Sequence, residues 1–338
     1  MSAKYHLITG ATGLLGSNIA AELIERGEHV AALVRSDSQI SYVKSLGVET
    51  IIGDLRNPAS LQRAFAGADI VYHCAAKVGD WGPWSEFQAL TIDGTRNVIQ
   101  ACEDAGVKRL LHVSAISVYG IINDSSRPVV ETDELGQYLP RWDYYARAKI
   151  TAEKETQQFP RHTIIRPPWL FGSRDRATIG RVVKALRAGR VRLIGRGDNP
   201  LSVLHAADVA RGAILAANDP QSEGEIYNLS SDHGITQKQL LDVITEHLSL
   251  PPITRHVPYF LADRIAFLGE ALARLFHRRT PPALTRRAVF LIGRCASFSS
   301  AKARSRLGWT PHVDIREGIR EALGWYLECE AVAPQKAD

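Results

Sequence analysis

Cysteine is sparse and scattered in this chain. Cys74, Cys102, Cys295 and Cys329 lie far apart with no Cys-x-x-Cys spacing, which argues against a zinc site or a disulfide framework and fits a reducing cytosol. No uncharged run approaches the roughly 20 residues of a membrane span. The opening MSAKYHLITG leads straight into a strand-like stretch, without the long apolar segment and cleavage site of a secretory signal. The eleven histidines show no metal-ligand spacing. His73, His112 and His205 fall in or beside expected strands and read as satisfied structural residues, and no metal is expected. Repeats and low-complexity tracts are also lacking. What remains is 338 residues, 45% hydrophobic and 23% charged, a globular composition with material for a sizeable core.

Acidic residues are scarce in one region. Between Arg255 and Arg306 the arginines include Arg274, Arg278, Arg279, Arg286, Arg287 and Arg294, opposed only by Asp263 and Glu270, in a chain of net charge +5. Clustered positive charge attracts anions such as acidic headgroups or an anionic substrate, or it forms a plain solvated face. A nucleic-acid partner is not expected.

The first half alternates β-rich runs with helical patterns. Strands are expected at 5–9, 29–34, 48–53, 69–76 and 108–115, and helices at 14–27 and 58–66. Such alternation implies βαβ units and a parallel sheet, and near-continuous apolar strands fit a sheet covered on both faces. The second half is less regular. A strand starts at His162 and breaks at Pro167-Pro168. A helix is expected at 176–188, a strand-loop-strand running into a helix at 192–210, and a strand at 224–230. An Arg-rich helical tail follows Pro251-Pro252.

ITGATGLLGS (8–17) joins the first strand to the first helix, with Gly10, Gly13 and Gly16 as Gly-x-x-Gly-x-x-Gly. Glycine permits the tight turn and close approach of backbone to ligand. The free N–H groups of the helix start then face a pyrophosphate. The second strand ends in LVRSDS, with Val34 where NAD sites usually carry an acid and Arg35 next to it. An arginine there suits a ribose 2′-phosphate, so NADP(H) is expected in preference to NAD(H).

TGATGLLG, GDL (53–55), VYG (118–120), YARAK (145–149) and RPPWLFG (166–172) occur in the order and spacing of the extended short-chain dehydrogenase/reductases, and the chain resembles that group over nearly its whole length. AAKVGDWGPW (75–84), RPPWLFG and PPALTRRA (281–288) resemble its 3β-hydroxysteroid dehydrogenase branch. The resemblance implies an α/β, Rossmann-type, doubly wound parallel sheet with a smaller interleaved C-terminal substrate domain. We expect 1–168 to form the dinucleotide-binding unit, with 200–230 returning to it, and 169–199 with 231–330 to form the substrate unit. The implied cofactor contacts are Gly10, Thr12, Gly13, Leu14, Gly16, Arg35, Asp54, Leu55, Ala75, Ala76, Lys77, Pro167 and Pro168, with Tyr145 and Lys149 as catalytic pair. A homodimer is common among such relatives.

Hydride transfer to a ketone leaves an oxygen that must take a proton. A phenol near its ordinary pKa of about 10 is a weak acid, and a nearby ammonium lowers that value. Tyr145 and Lys149 share a helix face at i and i+4, whereas Tyr144 pairs with Ala148. The tuned phenol then serves as acid in reduction and base in oxidation. The related enzymes usually supply a Ser or Thr four residues before the tyrosine of VYG to polarise the carbonyl. Here that residue is Ala115. Ser114 and Ser117 flank it, and the choice among Ser114, Ser117 and no hydroxyl at all stays open.

The loop GRGDNPLSVLH (195–205) carries Leu201 and Ser202 where nucleotide-sugar enzymes of the superfamily usually have Arg-Asp. That argues for an apolar substrate, such as a sterol or a long-chain β-keto or β-hydroxy acid, unless Arg190, Arg192 or Arg196 reaches in. Trp81, Trp84 and Trp169 are candidate substrate contacts, or ordinary anchors. The apolar pattern in 258–279 lines a greasy pocket, faces the core, or lies in a membrane interface, so residues 258–294 allow peripheral membrane contact of a cytoplasmic protein. Two other readings share the sequence: a nucleotide-sugar epimerase or dehydratase, and a dinucleotide-binding sensor or scaffold with little catalysis, to which Ala115 lends weight.

Overall fold

The computed structural model describes residues 4–175, 178–231 and 234–332. Its centre is a parallel sheet of seven strands: β1 (Tyr5–Thr9), β2 (His29–Val34), β3 (Glu49–Ile52), β4 (Ile70–His73), β5 (Arg109–Val113), β6 (His162–Arg166) and β7 (Ile226–Asn228), in the spatial order β7-β6-β5-β4-β1-β2-β3. β1 lies between β2 and β4, so the chain leaves it first toward one edge and later returns on the other side. The crevice at the carboxyl ends of β1 and β4 is therefore the topological switch point, where such sheets hold ligands.

The apolar strands are buried on both faces for a plain geometric reason: successive side chains point opposite ways. Leu7, Leu33, Val71 and Leu110 pack on one side against α3 (Pro58–Phe65) and α4 (Gly94–Asp104), through Leu61, Phe65, Val98 and Cys102. Ile8, Val34, Tyr72 and Leu111 pack on the other side against α1 (Leu14–Glu25) and α6 (Ala206–Asn218), through Ile19, Leu23, Val209 and Ala213. α2 (Ser41–Ser45) packs beside α1, and α5 (Tyr144–Thr156) packs beside α4.

The expected strands 5–9 and 29–34 form over those residues, and the others shorten by a few at their ends. Prolines lack the N–H of a ladder. Accordingly β6 stops at Arg166, and Trp169–Phe171 resumes beside Val203–His205 in a separate two-stranded ladder. The helix expected at 176–188 spans Ile179–Arg187, and positions 176 and 177 lie outside the described residues. The C-terminal half has its own core, with Phe171, Ile179, Val183, Leu201, Ile235, Ile244, Ile319 and Leu323.

The Arg-rich tail contains α7 (Tyr259–Leu275) and α8 (Arg286–Gly293). The buried side of α7 is Ala262, Ala266, Glu270 and Ala273, while its large apolar residues face outward. That overturns the core-facing reading of this segment: small side chains let the helix approach Val289 closely, and the bulky ones are left about half exposed or more.

Candidate active site

The glycine loop sits at the switch point. Gly10 has φ +73°, and a Cβ there would come within 2.8 Å of the Ala75 nitrogen, at the end of the neighbouring strand. A Cβ on Gly16 would run into the Gly10 carbonyl. Gly13 caps α1 with extended backbone and no side-chain bond, while its N–H donates to the Gly10 oxygen at 3.0 Å. The opening N–H groups of α1 are thus free of a side-chain cap, and Thr12 and Gly13 are exposed. This is a cradle that backbone alone can line, and it fits a pyrophosphate.

At the far end of the crevice Val34 is buried and Arg35 is exposed, 3.2 Å from Asp37. Asp54 is held by Arg56, whose Nη2 reaches Oδ2 at 2.6 Å, and this pairing pulls the carboxyl down to about 2. Leu55 is buried, and its carbonyl accepts from Asn97. Two residues here escape sequence reasoning. Arg56 adds a second guanidinium beside Arg35. Arg174, at φ +78°, donates from the second half of the chain to the Ser17 hydroxyl in α1 and lies 4.0 Å over the ring of Tyr42 in α2. Arg56 follows directly on GDL and could have been noticed; Arg174 gave no sequence signal.

α5 opens with Asp143, whose carboxylate accepts from the Ala146 nitrogen at 3.1 Å. Tyr145 follows in the first turn, half-buried, and Lys149 one turn later is buried. The Lys149 ammonium donates to the Val113 carbonyl at 2.7 Å, at the end of β5. Burial brings it down to about 8, against the opposing pull of Cys74 and Glu153. Burial also pushes the Tyr145 phenol up. The cation that opposes this rise is Arg287 of α8, 4.6 Å from the ring centre and doubly bonded to Asp143 at 2.6 and 2.7 Å. The sequence points to Lys149 as the group that lowers the phenol; here the lysine is turned toward the strand end, and an arginine from the C-terminal tail lies over the tyrosine as a further cation.

The two serines separate. Ser114 donates to Glu153 at 2.6 Å. Glu153 is fully buried and paired with Arg166, which also donates to the Tyr119 hydroxyl at 2.7 Å. That hydroxyl donates to Asn228. Ser114 thus belongs to a buried network that ties β5, β6, β7 and α5 together. Ser117 lies in the single turn Ile116–Tyr119, which packs against α5, and its Oγ is buried without a hydrogen-bond partner. A buried hydroxyl costs free energy unless a partner is supplied. Ile116 donates to the Pro167 oxygen at 3.0 Å, which brings the Pro167-Pro168 break beside the same turn.

The tryptophans differ among themselves. Trp84 packs with Tyr144, Phe87 and Ile92 behind Tyr145. Trp81 donates to the Arg278 carbonyl at 3.0 Å and carries Arg274 over its ring, tying its loop to the end of α7. Trp169 instead packs against the C-terminal core and lines a small apolar cavity with Phe171, Ile179 and Ile244. Lys77 binds Glu86 at 2.6 Å, and its N–H donates to Thr91. Ala76 continues that loop. His73 is satisfied by Thr9 and Thr95 and held near 3 by burial, and His205 caps α6. His112 departs from the expectation, buried with neither ring nitrogen partnered, and His205 departs in part, its Nε2 having no hydrogen-bond partner.

A sequence profile described as the NAD dependent epimerase/dehydratase family matches residues 6–230. The chain belongs to that family. It is 32% identical to the 4-hydroxy-2-methyl-3-oxo-4-farnesyl-3,4-dihydroquinoline-1-oxide ketoreductase of Stigmatella aurantiaca, over 92% of this chain and 93% of that one. It is 30% identical to the 2-alkyl-3-oxoalkanoate reductase of Shewanella oneidensis, over 94% and 85% of the two chains. Among solved structures it resembles a dTDP-glucose 4,6-dehydratase from Streptomyces venezuelae, with a TM-score of 0.76 at 22% identity over 96% and 98% of the chains, a likeness of fold. The seven-stranded parallel sheet is the Rossmann-type fold of an extended short-chain dehydrogenase/reductase.

Proposed function

We propose that this family member is an NAD(P)-dependent oxidoreductase that interconverts a secondary alcohol and a ketone on an apolar molecule, with NADP(H) preferred. The observation that carries the reading is the grouping of Tyr145 and Lys149 on the first turns of α5, where β5 ends beside the switch point. The named relatives reduce 3-oxo compounds with apolar chains, which supports the same chemistry here. Residues 1–168 with 200–230 then serve the dinucleotide, and 169–199 with 231–330 serve the substrate.

When bound, the nicotinamide gives or takes the hydride. The chain's own groups do the rest. The α1 loop holds the pyrophosphate on backbone N–H groups. Lys149, whose ammonium has donors beyond the one given to Val113, would hold a ribose hydroxyl. Ser117 donates to the carbonyl oxygen, and Tyr145 passes its phenolic proton to that oxygen as charge develops on it. In oxidation the proton moves the other way. Arg35 and Arg56, with no acid at Val34, favour a 2′-phosphate.

The C-terminal lining supports an apolar substrate over a nucleotide-sugar. Leu201 is buried, and Ser202 donates toward Ala296. Arg196 is exposed and paired with Asp198, while Arg192 folds back on Gly189 and Val191. Arg286 and Arg287 are paired with Glu270 and Asp143, which leaves them less available to a substrate carboxylate.

The test is NADPH oxidation against ketosteroids, long-chain β-keto acids and nucleotide-sugars, with Tyr145→Phe alongside. Turnover of the apolar ketones is expected, and the variant is expected to lose it while still binding NADPH. Turnover of Tyr145→Phe at the wild-type rate would remove the mechanism.

A further inference from the structure

We propose that α7 seats the protein on an anionic lipid surface, an inference that deepens the apolar-substrate reading and takes its purpose from it. The geometry is independent of that reading. Leu261, Ile265, Leu268, Leu272, Leu275 and Phe276 recur at helical spacing and are all exposed, Leu268 by 60% and Leu275 by 69%. Phe260 and Phe267 flank them, exposed as well. Scattered surface leucines are ordinary; a contiguous stripe on one helix is a contact face.

Charge chooses the occupant. The inward Arg286 and Arg287 are paired with Glu270 and Asp143, and the exposed Arg274 also leans on Glu270. Arg264 beside the stripe, and Arg278 and Arg279 past its end, are exposed. Of the two acidic residues on α7, Glu270 is buried and Asp263 is half-buried off the stripe. Apolar residues rimmed by cations complement acidic headgroups over an apolar layer. A second copy would bring like charges together. Among the described residues no helix is long and apolar enough to cross a membrane, so α7 lies in the interface. It also packs on α8, whose Arg287 covers Tyr145, and the Arg278 carbonyl holds Trp81, so a lipid-borne substrate arrives beside the site.

The experiment is co-sedimentation of the full chain with phosphatidylcholine vesicles, with and without phosphatidylglycerol. Binding to the anionic vesicles is expected, and little to the neutral ones. Leu268→Glu with Leu272→Glu should abolish it. Arg278→Gln with Arg279→Gln should weaken it about 30-fold, the effect of two headgroup-facing charges. NADPH binding, unchanged in both variants, verifies the fold. Absence of binding by the wild type overturns the proposal, as does equal binding to both vesicle types or binding that survives the glutamates. So does a dimer in light scattering that the glutamates split. Reduction of a water-soluble ketone without vesicles is measured in parallel, and its failure would count against the oxidoreductase reading instead.

Discussion

Replacing Lys149 by Met tests whether the candidate ammonium is buried before any cofactor arrives. Lys149 is 4% exposed and its ammonium is lowered from 10.5 to about 8, chiefly by burial. A lysine depressed in the folded state binds fewer protons than in the unfolded chain between those two values. Stability therefore rises with pH across that window and falls as pH drops through 8. At pH 7 the penalty is about 3 kcal/mol, and at pH 9.5 it has dropped to roughly 1.5 kcal/mol. Methionine keeps the length and apolar bulk but does not titrate. The Val113 carbonyl loses its donor in the variant, which costs about 1 kcal/mol at either pH. The wild type should thus gain about 2 kcal/mol on the variant between pH 7 and 9.5. Urea unfolding of both cofactor-free proteins at the two pH values, followed by tryptophan fluorescence, measures that difference. A gap that does not change with pH would mean that the ammonium is solvated, and the reasoning about its environment would be refuted.

Three other outcomes follow from the site. Ser117→Ala should lower kcat on the order of 100-fold with little change in unfolding midpoint, whereas Ser114→Ala should cost about 1–3 kcal/mol in stability by removing one donor from Glu153, which Arg166 still holds; steady-state kinetics and urea melts on both variants separate the roles. Arg287→Met should raise the apparent pKa for alcohol oxidation by at least about one unit, since it removes the cation over the phenol and unpairs Asp143, and Arg287→Lys should restore much of it; an unchanged pH–rate profile would deny Arg287 any hold on Tyr145. Arg35→Ala should weaken NADPH binding about tenfold or more and leave NADH unchanged; fluorescence titrations that give equal NADPH affinity for both proteins remove the 2′-phosphate assignment.

The fold of the N-terminal half was legible because its signals are local. The strand-like YHLIT and HVAALV runs fix β1 and β2, and the glycine spacing has one workable placement, since Gly10 meets Ala75 and Gly16 meets Gly10. The choice between Ser114 and Ser117 was not legible. Alternation assigns faces only while the strand lasts, and β5 ends at Val113, so the turn decides which hydroxyl goes down to Glu153. Arg174 and Arg287 were invisible for a different reason: each acts on an element far away in the chain, on Ser17 and Tyr145. For 258–279 the period revealed a stripe, but a period carries no direction. Only the packing of Ala262, Ala266 and Ala273 against the protein shows that the large residues look outward.

Asp143 links these observations. It caps α5 and so fixes the first turn, where Tyr145 stands. A carboxylate with only that role would sit in water at little cost; this one is 5% exposed and gripped through both oxygens by Arg287. A buried pair is fragile in one specific way: removing either partner leaves an uncompensated charge, so the two elements that carry it are held in register. Those elements are the helix bearing the phenol and α8, on which the outer helix α7 rests. Any displacement of the C-terminal tail that breaks the Arg287–Asp143 pair must also expose the cap of α5 and withdraw the cation from Tyr145. On the proposed reading the proton chemistry and the seating of the outer helix act through one salt bridge, and Arg287→Met should loosen both while Arg286→Met, on the same helix but paired to Glu270, should leave the phenol's pH profile where it was.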